Sequence, residues 1–303
     1  MKKLTDILEE AFNQWDNAFT AKSKVAGIPT GISHVDSELT GLPLCSLTTI
    51  ASRPGVGKTS LISSLIYNQA VHNHYCVAIF SLESHPREVL KRLLSIDSGI
   101  EESKIGRGEL DEKERETINS SLGRFKECKI FIDGSHFLTI EDIMEATRNM
   151  VQENDVKVVY IDYLQLIGVK EMPYKSYTRH DELALIVRKL KMLANELSIA
   201  IVLVSQLNRN YLGREDGRTQ PIFPKLKLSD LRESGAIEDN SDMVWLLSRP
   251  CTKDYEDEEG NDIRNKAVLD VAKNRYGTSF SVDLKCDMST GKLYDWPYDF
   301  LYR

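Results

Sequence analysis

The stretch SRPGVGKTS, residues 52–60, decides the fold of this 303-residue chain. It lies between an apolar run typical of a strand, SLTTIA (46–51), and a run typical of a helix, LISSLIYNQA (61–70). A glycine-rich turn in that position lets successive backbone N–H groups and a helix N-terminus surround phosphates. The stretch therefore predicts a P-loop, although the strict pattern has glycine where Ser52 stands.

Individual P-loop residues have expected roles. Lys58 is expected to reach the β- and γ-phosphates of a nucleotide, and Thr59 to help hold Mg²⁺. Glycine and lysine followed by threonine also arise by chance, so the flanking strand and helix carry much of the prediction. The expected nucleotide-contacting residues are Arg53, Pro54, Gly55, Val56, Gly57, Lys58, Thr59 and Ser60.

From Gly27 onward, short β-rich runs alternate with helical patterns. Near-continuous apolar strands between helices predict an α/β fold with a mostly parallel sheet and helices on both faces. The last runs follow one another without helices, so we expect antiparallel C-terminal strands. The predicted strands are 46–51, 76–82, 129–133, 156–162, 199–206, 243–249, 266–275 and 279–286.

Residues 1–26 have a different pattern. Apolar side chains recur at spacings of three and four over 4–19, which predicts an amphipathic helix. The polar stretch that follows is expected to be a tether, so 1–26 and 27–303 are predicted as separate units. A stripe that contains Phe12 and Trp15 needs a partner, either its own domain or a neighbouring subunit.

Composition limits the partners. Forty-six acidic residues against 39 basic ones give a net charge of −7, which excludes a general basic DNA coat; positive charge for a nucleic acid must be local. Five cysteines without a CxxC pair favour reduced thiols and a cytoplasmic protein. No run approaches the roughly 18 apolar residues of a membrane span, so we expect no membrane partner.

Three polar residues stand at the carboxyl ends of predicted parallel strands, where a P-loop protein needs them. Asp162 ends VVYID and suits a Mg²⁺ shell, and Glu83 follows IFSL, where a carboxylate can deprotonate the attacking water. Gln206 ends IVLVSQ and is placed to sense a γ-phosphate. Each alone is more often an ordinary strand-end polar group. Together, beside a P-loop, they favour nucleotide hydrolysis.

Six motifs extend this pattern from about Gly27 to about Asp287. They are RPGVGKTS, FSLE, VVYIDYLQLI, SQLNR, SDLRESGAIEDNSD and AKNRYG, in that order. They resemble the C-terminal helicase domain of DnaB-type replicative helicases, without the family's usual N-terminal domain. The resemblance implies a RecA-like ATPase core that forms homohexameric rings around single-stranded DNA.

The resemblance also implies residue roles, with ATP and Mg²⁺ as cofactors. Lys58 and Thr59 would bind ATP and Mg²⁺, Asp162 would serve the metal, and Glu83 would be the catalytic base. Gln206 would couple the γ-phosphate to the DNA side.

Arg275 matches the arginine finger that one subunit inserts into its neighbour's site, and Lys273 matches the lysine beside it. A finger supplied in trans makes hydrolysis depend on assembly. The alternative for both residues is an exposed basic strand edge.

The stretch SDLRESGAIEDNSD (229–242) has two interpretations. Ser229 and Asp230 are suited to cap a helix. In the family the stretch is the DNA-contact loop, and six copies of one arginine would give salt-sensitive, sequence-blind binding. The implied DNA-binding residues are Arg232, Glu233, Ser234 and Gly235, with Lys175, Arg179, Lys225 and Lys227 as weaker candidates.

The expected function is ATP-driven translocation of a hexameric ring on single-stranded DNA, with duplex unwinding in DNA replication. By resemblance, the N-terminal helix docks on the neighbouring subunit; contacts to a loader or primase stay open. Two alternatives are a RecA-like recombinase filament and a non-catalytic nucleotide-binding scaffold. The aromatic tail (293–303) could be a docking peptide or a strand cover.

Overall fold

A computed structural model describes residues 27–170, 178–207, 226–231, 234–250 and 262–296, with 3–5, 8, 12, 223 and 260 as isolated positions. Most of the predicted N-terminal helix therefore lies outside the described residues. From that segment, Leu4, Leu8 and Phe12 are described, and their side chains are 71%, 54% and 65% exposed.

One mixed sheet forms the centre of the described chain, in the order β3-β2-β4-β5-β1-β6-β7-β8-β9. Strands β1 to β6 pair in parallel, and β6 to β9 pair antiparallel. The strands are β1 (Ser46–Ser52), β2 (Val77–Ser81), β3 (Ile130–Asp133), β4 (Val158–Asp162), β5 (Ala200–Gln206), β6 (Met243–Ser248), β7 (Lys266–Asn274), β8 (Phe280–Asp287) and β9 (Lys292–Asp295). This confirms the predicted α/β fold.

Strand β9 was not among the predicted strands. It takes the first residues of the aromatic tail into the sheet, where Leu293 is fully buried and its backbone N–H donates to Ser64 Oγ at 2.9 Å. Residues 293–295 of the tail, predicted as part of a docking peptide or a strand cover, therefore belong to a strand of the sheet.

Helices cover both faces of the sheet. They are α1 (Ser33–Leu39), α2 (Lys58–Tyr67), α3 (Pro86–Ser98), α4 (Glu102–Arg107), α5 (Glu112–Glu127), α6 (Ile140–Asn154), α7 (Arg179–Leu197) and α8 (Ser234–Asn240). Buried side chains of α1, α2 and α3 share one core with the sheet. Those of α6, α7 and α8 share the other.

Strand β4 is buried on both faces, which explains why its sequence is a continuous apolar run. Val158 and Tyr160 face one core, whereas Val159 and Ile161 face the other. In β7, by contrast, fully buried residues alternate with partly exposed ones. An alternating strand needs only one covered face, which suits the antiparallel side of the sheet.

Because β1, β2, β4 and β5 run parallel, their last residues lie on the same side of the sheet. Ser52, Ser81, Asp162 and Gln206 are the last residues of β1, β2, β4 and β5; we call this side the carboxyl edge. The amino edge is the opposite side, formed by the starts of β1 and β6 together with the end of β7. Ligand sites of such sheets lie outside the carboxyl ends of the strands.

Candidate nucleotide site and its relation to the amino edge

The P-loop leaves β1 at Ser52 and enters α2 at Lys58. Gly55 and Gly57 have φ angles of +77° and +116°, which favour glycine. A Cβ added at Gly55 would meet nothing within 4 Å. Backbone conformation, and not crowding within the chain, therefore requires glycine at position 55.

The N-terminus of α2 suits an anion. Its N-cap residue, Gly57, has no side chain to cap the first turn, and that turn carries no acidic residue. The first-turn N–H groups of a helix lack intrahelical acceptors, and the helix dipole favours negative charge there. Pro54 and Gly55 are exposed in front of this end. The geometry fits a bound phosphate group.

Lys58 turns its ammonium group into the loop. Nζ donates to the carbonyl oxygens of Ser52 and Arg53 at 3.2 and 3.3 Å, and lies 3.4 Å from Ser52 Oγ. Ser52, which replaces the glycine of the strict pattern, thus provides two oxygens to the lysine. Burial lowers the pKa of Lys58, while the charges of Asp162 and Glu83 oppose that shift.

Thr59 and Asp162 form the second part of the site. Thr59 Oγ1 donates to Asp162 Oδ2 at 3.0 Å, and only 3% of Asp162 is exposed. Burial raises the pKa of this carboxyl group, and the charge of Glu83 raises it further. A hydroxyl and a carboxylate side by side are oxygen ligands of the kind Mg²⁺ prefers. The donor set therefore fits the predicted metal.

Glu83 and Gln206 lie at the same edge. Glu83 is exposed on the loop after β2, and the backbone N–H of Leu82 donates to Asp162 O at 2.9 Å. Gln206 stands opposite Ser52 in the β1–β5 register, at the level where the P-loop begins. The fold thus brings Lys58, Asp162, Glu83 and Gln206 to one edge.

Arg275 and Lys273 lie at the opposite end of the sheet. Asn274 pairs with Met243, the first residue of β6, whereas Ser52 pairs with Leu247. Four residue steps along β6 separate these levels, roughly 13 Å at the rise of a strand. The two predicted finger residues are therefore remote from their own P-loop.

The side chains of both finger residues lie on α8. Arg275 Nη2 donates to Asp239 O at 2.7 Å, and Lys273 Nζ donates to Glu238 O. Burial, and then the charge of Arg275, lower the pKa of Lys273. The Arg275 side chain remains 48% exposed.

The predicted DNA loop is described in part. Arg232, Glu233 and the Ser234 side chain lie outside the described residues, as do Lys175 and Lys225. Gly235 is exposed, and a Cβ there would meet nothing within 4 Å.

The two weaker candidates that are described differ in their surroundings. Lys227 is exposed. The Arg179 guanidinium donates to the carbonyl oxygens of Gln165 and Ile167 at 3.0 and 3.2 Å and pairs with Glu182. These contacts anchor the start of α7 to the turn after β4.

The sequence interpretation missed Asp242. This carboxylate is 3% exposed and contacts Leu47, Lys191 and Arg275. In the sequence it is one of several acids in a polar stretch. Its place directly before the apolar run of β6 was the one available signal, because a residue there enters the sheet.

Comparison with known proteins places this architecture. The family description "DnaB-like helicase C terminal domain" matches residues 27–295. The chain belongs to this family.

Full-length relatives extend beyond the matched region. The replicative DNA helicase DnaB of Geobacillus stearothermophilus is 31% identical over 285 residues, covering 93% of this chain and 60% of that protein. The replicative DNA helicase DnaB of Haemophilus influenzae is 34% identical, with coverages of 94% and 59%. The chain thus spans about 60% of the length of these two relatives.

Solved structures superimpose on the chain. One of them, described as an ATPase domain, does so with a TM-score of 0.81 at 28% identity, covering 96% of this chain and 99% of that domain. A DnaB-like replicative helicase, described with its interactions with primase, gives a TM-score of 0.80 at 27% identity, with coverages of 94% and 67%. Among the described residues, no helix is long and apolar enough to cross a membrane.

Proposed function

We propose that this chain hydrolyses ATP to drive a homohexameric ring along single-stranded DNA and to unwind duplex in DNA replication. The observation that carries the proposal is the separation of the machinery. Lys58, Thr59 and Asp162 converge at the carboxyl edge, while Arg275 lies at the amino edge. An arginine that stabilises the transition-state charge would thus have to come from another copy of the chain.

At the carboxyl edge, the P-loop N–H groups and Lys58 would bind the ATP phosphates. Thr59 and Asp162 would hold Mg²⁺, which neutralises developing phosphate charge. Glu83 would take the proton of the attacking water, and Gln206 would contact the γ-phosphate. Burial of Lys58 and Asp162 supports this assignment, since electrostatic stabilisation is stronger where water is excluded.

Assembly would complete the site. Arg275 of one copy, with Lys273 beside it, would reach the nucleotide of the next copy, which makes hydrolysis depend on the ring. We assign residues 1–26 to the linker helix and tether, and 27–303 to the ATPase domain. The exposed Leu4, Leu8 and Phe12 would dock on the neighbouring copy.

DNA would pass through the ring beside residues 232–235. One Arg232 per copy gives a ring of phosphate contacts despite a net charge of −7 per chain. Gly235, exposed and uncrowded, allows close approach of a strand. We assign the protein to the cytoplasm, in keeping with the free thiols of Cys45, Cys76, Cys128 and Cys286. A loader or a primase is a further proposed partner.

The test combines unwinding with electron microscopy. The chain should unwind a forked duplex only with hydrolysable ATP, and it should form closed rings on single-stranded DNA. Glu83→Gln should retain ring formation and ATP binding while losing turnover. Open filaments without unwinding would instead identify a recombinase, and nucleotide-dependent assembly with no turnover in the unmodified chain would identify a scaffold.

A further inference from the structure

Asp242 is a buried carboxylate with three kinds of partner. Its Oδ2 accepts from the backbone N–H of Leu47 at 2.8 Å and from Lys191 Nζ at 2.7 Å. Its Oδ1 lies 3.4 Å from Arg275 Nη1. A buried charge is tolerated only with such pairing. The first two contacts fix Asp242 to β1 and α7, so it offers Arg275 a fixed anchor.

Arg275 is held against that anchor through backbone and side chain. Its N–H donates to Asp242 O at 3.0 Å, and Nη2 donates to Asp239 O at 2.7 Å. Together with the Lys273 contact to Glu238 O, these bonds place both cations on the last turn of α8. Carbonyl groups at a helix C-terminus favour cations. The guanidinium is therefore oriented by the end of α8 and by Asp242 jointly.

Leu231, which precedes α8 in the sequence, lies beside the candidate nucleotide site of the same chain. Leu231 forms an antiparallel bridge with Leu207, the residue directly after Gln206. Ile237, in the middle of α8, is fully buried in the core. Leu231 thus lies next to Gln206 at the carboxyl edge, whereas Asp242, which follows α8, lies at the amino edge.

We propose that Asp242 is a positioning residue that holds Arg275 on the end of α8, in the direction that the finger needs to reach a neighbouring copy. The inference rests on the proposed function, because it needs Arg275 to act on a neighbouring copy. Asp242 contacts Leu47, Lys191 and Arg275 at the amino edge, on the opposite side of the sheet from its own P-loop. A substitution of Asp242 should therefore slow hydrolysis when it is in the copy that donates the finger. It should have no effect when it is in the copy that binds ATP.

Mixed assemblies test this directional effect. A Lys58→Ala chain offers an intact Arg275 without a working P-loop, and an Arg275→Ala chain offers the reverse. Mixing the two should restore ATP hydrolysis on single-stranded DNA at their shared interfaces. Asp242→Asn added to the Lys58→Ala chain should reduce that restored rate on the order of 10- to 100-fold, as expected for a displaced catalytic group. Added to the Arg275→Ala chain, it should leave the rate unchanged.

Asp97→Asn is the matched control. Asp97 is also a buried carboxylate paired with an arginine, Arg124, and it accepts from Tyr67 at 2.8 Å, but it lies at the end of α3. In either chain it should leave the restored rate unchanged. If Asp242→Asn fails to fold, as judged by thermal unfolding, Asp242→Glu replaces it with the same chain-specific prediction, since the longer side chain shifts the carboxylate.

The outcomes distinguish the positioning role of Asp242 from the finger role of Arg275. Equal loss from Asp242→Asn in both chains would overturn the positioning role and leave an ordinary structural role. No restoration in the parent mixture would overturn the finger in trans, and with it the positioning role. Loss confined to the finger-donating chain supports the inference.

Discussion

The two edges of the sheet hold their charges in different ways. At the carboxyl edge Lys58 and Asp162 are largely buried. Burial lowers the pKa of Lys58 and raises the pKa of Asp162, so it favours the neutral form of each group. At the amino edge Arg275 keeps about half of its side chain exposed while its bonds fix its direction. The geometry of the first region suits a bound anion and a metal ion. The second presents an oriented cation outward, which a site shared between copies requires.

Arg275→Ala should give the largest change. Hydrolysis by the assembled protein should fall on the order of 10³-fold, the lower range for an arginine finger. Binding of a fluorescent ATP analogue by separated chains should be unchanged, because the residue lies far from its own P-loop. Loss of binding in separated chains would show that Arg275 acts in cis.

Lys58→Ala should reduce both hydrolysis and nucleotide binding, and the rate should fall at least about 100-fold, as for removal of one stabilising donor. The same two assays distinguish it from Arg275→Ala. Lys157→Ala is the control, because Lys157 is a partly exposed lysine that pairs with Asp155 directly before β4, away from the carboxyl edge. Equal losses of hydrolysis and nucleotide binding in Lys58→Ala and Lys157→Ala would contradict a specific role of Lys58 in the nucleotide site.

Arg232→Ala should abolish most of the stimulation of hydrolysis by single-stranded DNA and leave the DNA-free rate intact. The salt dependence of DNA binding should also become shallower, since one phosphate contact per copy is lost. Arg264→Ala removes an exposed arginine paired with Asp262 and should change neither quantity. An unchanged salt slope in Arg232→Ala would place the DNA elsewhere.

These predictions depend unequally on sequence and structure. Apolar runs predicted eight of the strands. Strands β1, β2, β4, β5 and β6 are buried along almost their whole length and give near-continuous apolar runs, whereas β7 and β8 give alternating ones. The P-loop follows from the glycines and their flanks. Strand β9 was not predicted because its four residues of mixed polarity are too few to show the alternation of a strand. Asp242 escaped because its role arises from contacts with Leu47, Lys191 and Arg275, which are distant in sequence. The DNA loop still rests on resemblance.

Gly55→Ala tests whether conformation governs the P-loop. The φ of +77° should cost about 1–2 kcal/mol of stability for a residue with a Cβ, or shift the loop and weaken ATP binding. Gly123→Ala is the matched comparison within α5, where a Cβ also meets nothing and the φ is ordinary. It should stabilise the chain by about 0.5–1 kcal/mol. Thermal unfolding of the two variants should shift in opposite directions.

The smallest effect is expected at Asp142, outside both regions. Hydrogen bonds from Lys170 and then Thr139 lower its pKa to about 2. The folded pKa lies below the ordinary value of 3.8, so the ionised group stabilises the chain above that pH and loses this contribution as pH falls toward 2. Asp142→Asn should lower the unfolding temperature slightly at neutral pH and not near pH 2. A constant difference across that range would exclude this linkage.

The most direct test is steady-state ATP hydrolysis at low salt, with and without single-stranded DNA, with Lys58→Ala as the blank. If residues 232–235 and the nucleotide site act together, DNA should stimulate the rate strongly, and Arg232→Ala should remove the stimulation. If DNA does not change the rate, the proposed translocation on single-stranded DNA is contradicted, because the nucleotide site would then not be coupled to a DNA channel.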